Sequence, residues 1–204
     1  LFDDSNAQAT ASGRAAECFD AIAELRSATQ FLHAQLDAQL PLSNPAATLT
    51  DYVVHLSVVR DWRICLSPWL ARTSLQPGAL ALIEQDLEDC PAEVAKLPDL
   101  PTMRPDLLVQ SNHHCAAFSW GIAYVVEGSL LGGKVLYRRL KQQLHPHPLR
   151  YLGKSSDDAV SWPETLQAVR RHAPSGAASA LACAGATAAF EMLLERFRQA
   201  GYIR

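Results

Sequence analysis

Glycine carries the most telling pattern in this chain. In the run Gly121-Ile122-Ala123-Tyr124-Val125-Val126-Glu127-Gly128-Ser129-Leu130-Leu131-Gly132-Gly133, glycines interrupt an otherwise apolar, helix-forming stretch. Each glycine inside a helix costs about 1 kcal/mol relative to alanine, so Gly128, Gly132 and Gly133 together cost roughly 3 kcal/mol that must be recovered elsewhere. At about 3.6 residues per turn, Gly121, Val125, Gly128 and Gly132 share one face, a strip nearly free of side chains. Two arrangements use such a strip: a second helix packed backbone to backbone, or a flat ligand laid on the main chain. Spacing alone does not choose between them.

A second chemically suggestive stretch lies upstream, Leu25-Arg26-Ser27-Ala28-Thr29-Gln30-Phe31-Leu32-His33-Ala34-Gln35-Leu36-Asp37. A lone histidine among apolar helix residues is more often a packed or surface residue than a ligand. Asp37, however, is one turn beyond His33 on the same face, where its carboxylate could accept a hydrogen bond from a ring nitrogen and fix the tautomer. A solvent-facing carboxylate is the equal alternative. Arg26 lies seven residues before His33, two turns back along that face, and an exposed arginine is its plain alternative.

Taken together, the two stretches resemble the proximal and distal helices of heme oxygenases, particularly the bacterial kind that includes bacteriophytochrome-associated enzymes. The Tyr-Val-Val-Glu-Gly-Ser-Leu-Leu-Gly-Gly run is the more specific match, and Leu-Arg-x-Ala-Thr-x-x-x-His is similar to the family's proximal-histidine motif. Leu149-Arg150-Tyr151-Leu152-Gly153, Trp162 and Ala186 to Phe190 support the likeness, which spans about Glu24 to Phe197. The resemblance implies heme as both cofactor and substrate, with His33 as the axial iron ligand. It places Arg26 at a heme propionate, which suits a guanidinium, and puts Tyr124, Gly128 and Gly132 against the porphyrin. Gly128, Ser129 and Gly132 are the positions implied to act on bound dioxygen. Ser129 departs from the animal enzymes, and some bacterial ones, that carry an aspartate there, so that aspartate's role does not transfer to it.

The implied reaction is oxidative opening of heme to biliverdin, releasing carbon monoxide and ferrous iron. Electrons would come from an external ferredoxin or reductase, since no dinucleotide-binding glycine turn follows a strand here. A bilin-accepting photoreceptor is a further implied partner. A heme carrier on the same fold would keep the same histidine and glycines. A di-iron oxidase would need Glu-x-x-His pairs, which the chain lacks. A thiaminase-like hydrolase would need a nucleophilic cysteine, for which Cys115 and Cys183 qualify by type alone.

The elements that must hold these residues read as all-α. Helical periodicity covers about Ala16–Leu40, a segment capped by Thr50 and reaching about Trp69, then about Ala79–Asp89, a short piece near Ala92–Lys96, a long segment over 105–144 bent at the glycines, a helix starting at Trp162-Pro163, and about Ala177–Ala200 with Gly201 as the stop. Tyr151 to Asp157 reads as loop. Residues 1–15 lack periodicity and read as a disordered leader before one heme oxygenase-like multi-helix domain over 16–204.

The chain of 204 residues suits one core. A net charge of −3 argues against a general nucleic-acid binder. No uninterrupted apolar run approaches about 18 residues, and Leu1 to Gly13 lacks a signal-peptide pattern, so no membrane span or export is expected. The five scattered cysteines argue against a disulfide framework and fit a reducing cytoplasm. His113, His114 and Trp120 make no persuasive metal site. Lys134, Arg138, Arg139 and Lys141 could meet propionates or an electron donor, or be a solvated face at a helix end.

Overall fold

The computed structural model describes residues 20–73, 78–94, 101–102, 115–153 and 162–203. Among them there are seven α-helices and no strand, as the periodicity requires. The proposed leader, His113 and His114, and the first part of the 105–144 segment lie outside the described residues, as does Lys96.

Helix α1 spans Ala21–Gln39. The Asp20 carboxylate starts it by accepting from the Ile22 N–H at 3.0 Å, and Pro41 opens a 3-10 turn, Pro41–Ser43, directly after it. Helix α2, Leu49–Leu70, is capped by Thr48, two residues before the expected Thr50. Asp51 decides the matter: its carboxylate accepts from the Thr48 N–H at 2.7 Å while Thr48 Oγ1 accepts from the Asp51 N–H at 3.3 Å, a reciprocal box that Thr50 could not form. Helix α3 is Ala79–Glu88. Ala92–Val94 forms a turn, and the rest of the short helix expected over Ala92–Lys96 lies outside the described residues.

Helix α4, Ala116–Gln143, is one uninterrupted helix of 28 residues through all its glycines. The four-residue helix α5, Arg150–Gly153, replaces the start of a stretch that reads locally as loop. Its first N–H groups are satisfied from far away in sequence. The buried Asp86 carboxylate accepts from the N–H of Arg150 at 3.0 Å and of Tyr151 at 2.9 Å, and from the Tyr52 hydroxyl at 2.6 Å. His147 joins the same hub: its Nδ1 accepts from the Leu149 N–H at 3.2 Å, which leaves Nε2 as donor to the Asp86 carbonyl at 2.9 Å.

Helix α6 is Trp162–His172 and α7 is Gly176–Gln199. Gly201, with φ +78°, ends α7 as expected. The N–H of Tyr202 reaches the Phe197 carbonyl at 3.0 Å and that of Gly201 the Arg198 carbonyl at 2.8 Å, the paired bonds of a Schellman stop.

By length and composition α7 is apolar enough to cross a membrane, but half of that stretch is buried in the fold. Helices α1, α2 and α4 pack on it. Trp62 of α2 donates from its indole to the Ala189 carbonyl at 2.8 Å, Glu24 of α1 accepts from Ser179, and α4 crosses it at very close range. An added Cβ on Gly121 would lie 1.9 Å from the Ala182 carbonyl oxygen, and one on Gly185 would lie 2.2 Å from that of Phe118. The two helices touch through main chain, which only glycine permits.

Candidate functional site

The glycine strip divides into two parts with different uses. Gly121 serves helix packing, the first of the two arrangements its spacing allowed. Gly128 and Gly132, further along α4, have no backbone of another helix against them among the described residues. A Cβ on Gly132 would meet nothing within 4 Å among the described residues, and one on Gly128 would meet only the Trp162 indole of α6, at 3.6 Å to Cη2 and 3.8 Å to Cζ3. Leu131 and Val135 flank Gly132 and are exposed at 39% and 66%, unusual for large apolar side chains. The Gly132 end of the strip is therefore apolar, bare of side chain at its centre, and open among the described residues.

Arg26 and Tyr124 come together. The Arg26 guanidinium of α1 lies near the Tyr124 hydroxyl of α4. Burial pushes that hydroxyl up from its ordinary range, and the neighbouring positive charge pulls it partway back. Tyr124 also packs on Trp162, ring centroids 5.3 Å apart and inclined by 41°. Arg26, Tyr124, Trp162 and Gly128 thus form one continuous chain of contacts from α1 across to α4.

His33 pairs with Asp37 as the helical spacing anticipates. Nδ1 lies 2.9 Å from the Asp37 carboxylate, so the proton sits on Nδ1 and the Nε2 lone pair is left for a ligand. The pair is largely exposed, and the imidazole lies 5.8 Å from the ring of Phe190 on α7, inclined by 60°. Neither glycine has His33 within 4 Å, so the imidazole and the strip do not touch.

Ser129 turns toward a buried polar group. Its hydroxyl donates to the Val126 carbonyl at 2.6 Å and sits beside the Tyr151 hydroxyl, which Arg63 also reaches. Having spent its one proton on its own helix, Ser129 Oγ is left as an acceptor. Tyr151 is buried, which raises its hydroxyl above the ordinary range, while Arg63 and Ser129 act in the opposite direction. Arg63 is buried as well, and its Nη1 has no hydrogen-bond partner. The basic run after the glycines is partly structural, with Arg139 donating to the Ser43 carbonyl at 3.2 Å.

The sequence places Trp162 at a helix start and puts it and Phe190 in segments similar to the family, with no role attached to either, and no pattern singles out Arg63. Tertiary packing alone brings Arg63 toward Ser129 and Phe190 to His33. Cys115 caps α4, accepting from the Phe118 N–H at 3.4 Å, and burial pushes the Cys183 thiol up from its ordinary range. Neither arrangement activates a nucleophile.

These positions suit a flat, iron-containing macrocycle in two respects: an imidazole with its distal nitrogen fixed by a carboxylate, and a bare backbone face that a Cβ would fill. No family model matches the chain, and no solved structure matches it at a significant level. A curated relative does: over 102 aligned positions the chain is 34% identical to a protein named heme oxygenase from Xanthomonas campestris pv. campestris (strain 8004). The match covers 45% of this chain and 62% of that relative's length. It supports the heme oxygenase family for this all-α chain.

Proposed function

We propose that the chain binds heme and opens it oxidatively to biliverdin, with release of carbon monoxide and ferrous iron, using dioxygen and electrons from an external ferredoxin or reductase. The likeness to the named heme oxygenase carries this reading. The His33 and Asp37 pair and the open Gly132 face supply its chemistry. In it His33 would hold the heme iron through Nε2, and Asp37 would keep the ring in that tautomer. Arg26, with Tyr124 beside it, meets a propionate. Gly132 would admit the macrocycle against the main chain, and Gly128 would mark the end of that face at the Trp162 indole. Bound heme iron supplies the redox chemistry, and the protein's share is ligation, orientation and exclusion of water. Ser129 would present an acceptor oxygen beside Tyr151 and Arg63, without taking over the role of the aspartate found at that position in other members. A bacterial setting, cytoplasmic location and delivery of the product to a photoreceptor belong to the same proposal.

Titration of hemin into the purified protein, followed by ascorbate or a reductase, tests it. The expected result is a Soret band that decays to a bilin spectrum. A stable band would make the protein a heme carrier, and no band would remove both. His33→Ala is expected to change the ferric spectrum and weaken binding; an unchanged spectrum would remove His33 as ligand.

A further inference from the structure

The strip that should receive a flat ligand already has a flat side chain at one end. The indole edge of Trp162 stands over Gly128, 3.6 Å from where a Cβ would be, while Gly132, one turn further along α4, has nothing within 4 Å of its own Cβ position among the described residues. One helical turn advances about 5.4 Å, less than the width of a porphyrin, so a macrocycle cannot centre on Gly132 and pass freely over Gly128 while the indole remains there. The indole is also held in place. Tyr124 packs against it, and Arg26 of α1 lies near Tyr124 in turn. Because Trp162 is the first residue of α6, its backbone is fixed by a regular element, and Val169 two turns on is fully buried.

We propose that Trp162 is a positioning residue whose indole forms the end wall of the heme site, setting how far the macrocycle slides along α4 and therefore which bridging carbon lies against Gly132. This rests on the heme reading above and extends it to the register of the substrate. Arg26 lies on the same side as the wall. It fixes the charged edge of the macrocycle there, and the opposite, apolar edge extends past Gly132 toward Leu131 and Val135. A ring that shifts or rotates within the site presents a different carbon to the same protein groups, and a displacement of about 1 Å is enough to alter a reaction outcome by up to about 100-fold.

The test compares the wild type, Trp162→Ala, Trp162→Leu and Trp162→Phe, each loaded with hemin. Biliverdin isomers are separated after ascorbate turnover, and heme-methyl proton spectra of the ferric complexes report ring orientation without turnover. Trp162→Ala is expected to raise a minor biliverdin isomer by about tenfold or more and to split or shift the heme-methyl resonances, while Trp162→Phe keeps the wild-type pattern. Trp162→Leu, which fills volume without a flat ring, is expected to behave like alanine and serves if the alanine variant does not fold. Wild-type isomer ratios and methyl shifts in both the alanine and leucine variants would overturn the proposal while leaving the heme reading intact. A wild type that shows no Soret band would overturn both.

Discussion

Asp86 shows how much a single carboxylate can organise. It is completely buried on α3 and holds the Tyr52 hydroxyl, two backbone N–H groups of α5 and the Arg150 guanidinium, the last at 3.2 Å. Burial and the adjacent charge drive the Tyr52 hydroxyl far above its ordinary range, so Tyr52 remains a proton donor under all working conditions. Asp86→Ala would strand the Tyr52 hydroxyl and the two backbone N–H groups in the interior. The expected loss is about 3 kcal/mol or more, since each buried donor left unsatisfied costs about 1–3 kcal/mol, and urea unfolding at neutral pH measures it. Asp86 gave no hint of this role in the sequence, since its partners lie 34 and 64 or more positions away. His33 is the opposite case. Its pairing with Asp37 follows from helical spacing and is present at 2.9 Å, because both members belong to one element.

Helix α4 makes the same contrast between neighbouring glycines. An alanine in place of a helical glycine ordinarily stabilises by about 1 kcal/mol. At Gly132, with open space around it, that gain is expected in the ligand-free protein, together with weaker hemin binding if the macrocycle lies on that backbone. At Gly121 and Gly185 the sign reverses. The new Cβ would meet carbonyl oxygens of the opposing helix, and backbone cannot move aside as a side chain tip can, so the cost is expected to exceed about 3 kcal/mol, above the usual range for overpacking. Thermal melts of the three alanine variants, with hemin titrations of Gly132→Ala, check both signs. Helix existence and most helix ends were legible from apolar period, caps and stop glycines. The division of the glycine strip between two uses was not, because spacing records which residues share a face but not what covers it. Helix α5 escaped for a related reason: its N-terminal groups are satisfied by a residue on another helix.

At the scale of the whole molecule, acid tests how tightly the interior is closed. His55 on α2 is buried against Phe197, with rings 5.8 Å apart, and Nδ1 has no hydrogen-bond partner among the described residues. Burial lowers its pKa from 6.5 to about 4. Between those values the unfolded chain takes up a proton that the folded chain refuses, so stability falls as pH drops through that window, by up to about 3 kcal/mol from this group. It is level above the window. Urea midpoints between pH 7 and 4 should show this slope in the wild type and a shallower one in His55→Leu. The crossing of α4 and α7 sets a different limit, a mechanical one. Two helices in main-chain contact have no rotamers between them to absorb a push, so the crossing works as a fulcrum. Gly132 is eleven residues beyond it, about 16 Å along the axis. Past Gly132 the helix is held a second time, by Arg139 and Gln143 donating to the Ser43 and Ala47 carbonyls, so a guest arriving between the two anchorages meets the stretch where glycines make the helix softest.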